Sequence, residues 1–229
     1  MKPMVASFVL AVLLSPAVAQ SNRPRPAPTP ATQVSSAIAR AKTLSARGRF
    51  SDAEAVLDKA LEVRGSGASM DRLGNALADL HFTWGMDLEK ANDWDAAIVH
   101  YFDAHRLGRA LPPTNRANIL DRLALALAAT QDYTEAESHM DRALVLRRKA
   151  ADPRKMAEAL NNCGFVHIDH GRDESQAQNA DDAASLFRKA IERLEEAREI
   201  HHRLAHPKGE AKSFRGLAMA YRYLNDPER

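Results

Sequence analysis

From about residue 33 onward, apolar side chains recur every three or four positions, with polar residues between them. That is the period of amphipathic helices, and no stretch gives a convincing strand signal. The pattern also repeats at longer range. Phe50, Ala53, Leu57 and Ala60 share their spacing with Trp94, Ala97, Tyr101 and Ala104. Tyr133, Ala136, Met140 and Ala143 form a third set, and Phe187, Ala190, Leu194 and Ala197 a fourth. The first three sets each follow a turn-prone pair: Gly48-Arg49, Asn92-Asp93 and Gln131-Asp132. Each set therefore predicts one helix with an aromatic residue near its start.

A second helix is predicted upstream of each set. Its marks are Ala37, Arg40-Ala41 and Leu44 in the first unit, and His81, Trp84-Gly85 and Leu88 in the second. Leu120, Leu123-Ala124 and Leu127 follow in the third, and Leu160, Cys163-Gly164 and His167 in the fourth. A final copy, Phe214, Leu217-Ala218 and Tyr221, has no second helix after it. Small residues at fixed places let paired helices approach closely, and large residues fill the space between pairs. One pair cannot bury its apolar face alone, so the units must stack.

Joined, the two half-patterns resemble the tetratricopeptide repeat. Leu217-Ala218-x-x-Tyr221 and Trp84-Gly85-x-x-Leu88 carry the first half; Gly48-Arg49-Phe50-x-x-Ala53 and Gln131-Asp132-Tyr133-x-x-Ala136 carry the second. A unit of about 40 residues fits the spacing best, which is similar to the long repeats of kinesin light chains and related bacterial proteins. The resemblance implies an all-α fold: a right-handed superhelical solenoid of about four helix pairs plus a C-terminal capping helix. The repeat domain is expected over 33–225, with 226–229 as a tail. About 14 extra residues, in the stretch 172–185, precede Phe187, and they read as a surface loop with Asn179 or Asp181 capping the next helix. The last helix is expected to show polar residues outward, among them Lys212, Arg215, Arg222 and Tyr223.

The N-terminal end reads differently. Lys2, an apolar run from Val5 to Leu14 and Ala17-Val18-Ala19 have the order of a secretory signal peptide over 1–19. Alternate prolines at 24, 26, 28 and 30 make 20–32 an extended, disordered linker. The chain is therefore expected to be exported, to a periplasm or outside the cell, with no membrane span after cleavage.

Composition narrows the chemistry. The chain has 229 residues, of which 45% are hydrophobic and 27% charged, and a net charge of +2. So small a charge gives no electrostatic case for nucleic acid. One cysteine, Cys163, excludes an internal disulfide and a thiolate zinc site, and its apolar neighbours make it a small buried hydrophobe. No nucleophile–base motif occurs, so no catalytic residue and no cofactor are assigned. An enzyme with a site near 172–185 and a metal-handling protein using His167, His170 and His202 are the alternatives. His167 occupies an inward position of the repeat, where a hydrogen-bonded core histidine is the plainer reading.

The resemblance also implies a site. First helices line the concave face in this family, which points to Phe82, Met86, Asn118, Arg122, Leu125, Glu158, Asn161, Asn162, Phe165, Lys212, Arg215, Met219 and Arg222. Asn161-Asn162 before Cys163-Gly164 matches the family form in which an amide holds an extended peptide backbone. The expected function is a non-enzymatic scaffold that binds a protein segment, peptide or helix in this groove. Self-association is left open.

Overall fold

The computed structural model describes residues 27–63 and 65–225. The expected signal peptide, most of the linker and the tail lie outside the described residues. Among the described residues nine α-helices follow one another: α1 (Pro30–Ser45), α2 (Phe50–Leu61), α3 (Gly67–Lys90), α4 (Trp94–Leu107), α5 (Pro113–Ala129), α6 (Tyr133–Ala150), α7 (Pro153–Gln176), α8 (Ala180–Arg203) and α9 (Pro207–Asn225). There is no strand among the described residues. The fold is an all-α helical-repeat solenoid of four pairs, α1–α2, α3–α4, α5–α6 and α7–α8, closed by α9.

Turn chemistry sets these boundaries. Pro30, Pro113, Pro153 and Pro207 open α1, α5, α7 and α9. At the first helical position a missing N–H costs nothing, because that group has no intrahelical partner. Pro30 therefore starts a helix inside the expected linker, three residues early, with Thr29 accepting from the Thr32 amide at 3.2 Å. Each pair turns through one residue with positive φ: Gly48 (72°), Asn92 (58°), Gln131 (65°) and Gln178 (65°). In each turn the next amide bonds back five residues, as Arg49 does to Leu44 and Asp132 to Leu127. This is the left-handed C-terminal cap that satisfies stranded helix carbonyls.

The expected loop at 172–185 is helical instead. Arg172 to Gln176 prolong α7, and Ala180 begins α8, so both helices reach 24 residues. Arg, Glu, Gln and Ala are good helix formers, and their polarity marks an outer face rather than a loop. Asn179 does take the N-cap place, but its side chain does not cap; its amide donates to Glu174 Oε2 at 2.6 Å. The added turns seat the Phe187 ring on Gly171, and Tyr223 of α9 stacks on that ring at 5.5 Å.

The repeat alanines of α2, α4, α6 and α8 are buried, and each pair closes on a small-residue contact. A Cβ on Gly85 would lie 2.7 Å from the Tyr101 ring, and one on Gly164 would overlap Leu194 Cγ. Leu194 also fills the space against Gly216 of α9. Replacing Gly164 by Ala would raise helix propensity by about 1 kcal/mol. The overlap with Leu194 outweighs that gain, and Gly164→Ala is expected to lower unfolding stability by roughly 1–3 kcal/mol. A urea titration of both proteins checks it; an unchanged or higher midpoint contradicts the close-packing account.

Candidate functional site

First helices α3, α5 and α7 expose a common face. Between them lies a cleft of about 450 Å³. Phe82 and Met86 of α3 and Leu125 of α5 give it apolar wall; Asn118 and Arg122 of α5 and Glu158 and Asn162 of α7 give it polar wall. Seven of the residues expected in the groove are thus brought together. Phe165, Lys212 and Arg215 form a neighbouring patch. The Lys212 ammonium and the Arg215 guanidinium stand 5.5 and 5.2 Å from the Phe165 ring centre, within cation–π range. Lys212 Nζ donates to Asn162 Oδ1 at 2.9 Å and so joins patch to cleft. Burial and the adjacent Arg215 charge hold the Lys212 ammonium below its ordinary pKa.

Asn161 is not a groove residue. It is buried at 1% exposure, accepts from Ser213 Oγ at 2.8 Å and meets His201 Nε2 at 3.3 Å. One residue along a helix is a rotation of about 100°, which turns Asn161 into the stack and leaves Asn162 on the open face. Met219 packs against the core cluster of Ile168, Leu194 and Leu217, and Arg222 is exposed.

The cleft has one member that the sequence did not suggest. Arg147, on the second helix of its pair, has a side chain only 3% exposed, and it donates through Nη2 to Asn118 Oδ1 at 2.7 Å and to Asp121. Burial pushes the Asp121 carboxyl up, and the Arg147 contact opposes that rise. The same contact recurs one unit later, where His201 reaches Asn161 from the equivalent positions. At the rim, Arg122 Nη1 donates to Glu89 Oε1 at 2.8 Å, and Glu89 Oε2 accepts from Tyr101 at 2.6 Å. Lys155 pairs with Glu158 at 2.7 Å.

The histidines are spread along the stack. His202 is exposed and bonded to Glu210 at 3.1 Å. It stands at the far end of α8 from His167 and His170; antiparallel pairing puts them roughly 20 Å apart along the axis. The three cannot share an ion, which corrects the metal alternative as drawn on His167, His170 and His202, and among the described residues no group of three or more His, Cys, Asp and Glu side chains is placed to hold one. His81 and His100 approach Nδ1 to Nδ1 at 3.0 Å, as His201 and His206 do at 3.2 Å. Each such pair is bridged by one proton and fails when both rings are charged. His105 Nε2 meets Arg142 Nη2 at 2.8 Å, which requires a neutral ring. His167 lies 3.4 Å and His170 3.1 Å from Glu137 Oε1, and with Lys189 they hold that carboxyl down to about 2. Cys163 is buried, and burial pushes its thiol up to about 12.

The stacked pairs define a helical-repeat protein. Residues 34–65 and 115–192 each match a family model described as tetratricopeptide repeat. The chain carries tetratricopeptide repeats over these stretches, and such repeats mark a protein-interaction module; proteins built of them are generally non-enzymatic scaffolds. No curated protein matches the chain. Among solved structures it is similar to BtubC (BKLC) from P. vanneervenii, with 16% identity over 81% of this chain and 78% of that one, and a TM-score of 0.39. Among the described residues no helix is long and apolar enough to cross a membrane.

Burial lowers the pKa of His81, His100, His105 and His201, and takes His139, beside Arg142 and His105, to about 4. A folded pKa below the unfolded 6.5 means stability is complete above that pH and is lost as pH falls through the folded values. Glu137 acts in the same direction lower down, its contribution being lost from about 4.5 toward 2. Urea midpoints are expected to fall steadily from pH 7 to pH 4, and His139→Gln to flatten that fall. A flat profile, or an unchanged slope in the variant, contradicts the assignment.

Proposed function

We propose that this chain is an exported adaptor that holds a segment of a partner protein, an extended peptide or a short helix, in the cleft between α3, α5 and α7. The observation that carries the reading is the cleft's mixed wall. Phe82, Met86 and Leu125 offer apolar seats beside the polar side chains of Arg122, Glu158 and Asn162. That combination suits a polypeptide, which brings apolar side chains and backbone polar groups together. The Phe165–Lys212–Arg215 patch extends the same face with positive charge. Export rests on the order of Lys2, Val5 to Leu14 and Ala17-Val18-Ala19.

The test is crosslinking of the tagged chain in the envelope of its own cells, followed by capture and mass spectrometry. Arg122→Ala with Asn162→Ala is the control. Both side chains stand at the rim, and loss of the exposed Arg122–Glu89 pair should cost stability about 1 kcal/mol or less. A discrete partner is expected, with affinity for the double variant lower by about tenfold or more. A partner retained at full affinity would move the site off this face. Recovery of the chain in the cytoplasm would refute export.

A further inference from the structure

One unit carries an arginine where its neighbours carry a core side chain. Eight residues before the small residue of the first helix, α3 has Leu77 and α7 has Met156, exposed by 4% and 6%. In α5 the same position is Arg116, which is partly buried, and its buried Nε has no hydrogen-bond partner. Arg116 lies on the side of α5 away from the cleft, since the cleft residue Leu125 is nine positions on and so half a turn round. It looks instead toward the second helices α4 and α6. His105 of α4 and Arg142 of α6 meet there at 2.8 Å, and Arg142 Nη1 stands 3.4 Å from His139 Nδ1. Arg109 follows α4 in the short turn Gly108–Ala110. Burial first, then the Arg142, Arg116 and Arg109 charges, hold the His105 pKa below its ordinary value, so all three guanidiniums are grouped about this ring.

No carboxylate of the chain answers these charges. Among the described residues Arg109, Arg116 and Arg142 make no ion pair, and no Asp or Glu occurs in 104–120 or 142–151. The acids that border those stretches are engaged elsewhere. Asp103 pairs with Arg106 at 2.8 Å, Asp121 with Arg147 and Asp141 with Arg193 at 3.8 Å, while Asp152 caps the Lys155 amide at 3.0 Å. Glu135 shares the Arg142 side of α6 but lies seven residues, about 10 Å, nearer the turn. A guanidinium drawn partly out of water with no counter-charge lowers stability, and a hydrocarbon or thioether side chain fills the same place in α3 and α7. We infer that Arg109, Arg116 and Arg142 bind a phosphate-type oxyanion, as free phosphate or as the monoester headgroup of phosphatidic acid. Three planar forks of N–H donors exceed what the two oxygens of one carboxylate can accept. A phosphate group brings three acceptor oxygens and a charge of about −2, which suits several arginines at once. The site stands apart from the cleft and does not rest on the function proposed for it.

The probe is inorganic phosphate, titrated by calorimetry into the full chain in a phosphate-free buffer. Saturable one-to-one binding is expected, with a Tm that rises as phosphate is added. Sodium chloride and sodium acetate at matched ionic strength are the controls. Arg116→Met installs the residue type that α7 buries at this place, and Arg142→Gln changes an exposed position; circular dichroism verifies that both variants fold. Each should weaken phosphate binding by about tenfold or more. The cleft variant Arg122→Ala/Asn162→Ala should bind phosphate as the parent chain does. Flotation with phosphatidylcholine vesicles, with and without phosphatidic acid, separates the two sources. Flotation that requires phosphatidic acid and is abolished by Arg116→Met gives the site to a lipid headgroup; phosphate binding without flotation gives it to the free ion. Binding of neither, an equal response to chloride or acetate, full affinity in Arg116→Met or Arg142→Gln, or loss in the cleft variant instead overturns the site.

Discussion

The structure depends on one contact repeated along the stack: a glycine or alanine of a first helix against a bulky side chain of its partner. Leu194 shows why. It is wholly buried and fills the space between Gly164 of α7 and Gly216 of α9, so one side chain fastens a pair and the pair to its neighbour. A Cβ on either glycine would collide with it. Interiors packed at crystal density have no slack to absorb such an overlap. The helices can therefore take one separation, and that separation fixes which side chains face the cleft and which vanish into the stack.

Much of this was legible because the contact is written in residue size. Alanine at two fixed places, an aromatic residue at the start and a large apolar residue between them form a pattern that few other folds need. The turns were legible for a similar reason, since Gly48 and Asn92 take the left-handed conformation readily. Gln131 and Gln178 adopt it with less intrinsic ease, held there by the same backbone bonds. The segment at 172–185 was misread because polarity was taken for irregularity. Its polar side chains find partners on neighbouring helices, as Asp173 does in accepting from Tyr133 and Gln131, and Phe187 against Gly171 supplies the burial that makes the extra turns worthwhile.

The candidate site was legible along each helix and illegible across helices. Phe82, Arg122, Leu125 and Asn162 follow from the facing of first helices. Asn161 was misassigned by one position because two adjacent amides satisfy the same motif. Only the neighbouring helix, through Ser213 and His201, decides which of them turns inward. Arg147 escaped for the complementary reason: Arg147-Arg148 near a helix end looks solvated until Asn118 and Asp121 are placed opposite it. Its alignment with His201, four residues past the last repeat alanine in each unit, was the available signal. The shared role is a polar pin between the end of a second helix and the start of a first.

These polar pins carry a cost that explains their placement. A buried guanidinium beside Asp121, or paired imidazoles beside an amide, contributes less to stability than well-packed hydrocarbon would. What it does contribute is register, because a donor and an acceptor fit at one relative height of the two helices, whereas alanine and leucine tolerate sliding. In a stack whose apolar contacts repeat with nearly the same spacing in every unit, slippage by one turn is the error most in need of prevention. Arg147 with Asp121 and His201 with Asn161 sit where that error would show, at the open end of a pair, opposite its turn. The same reasoning bears on the cleft, whose α5 and α7 walls belong to pairs that are each held in register by such a pin.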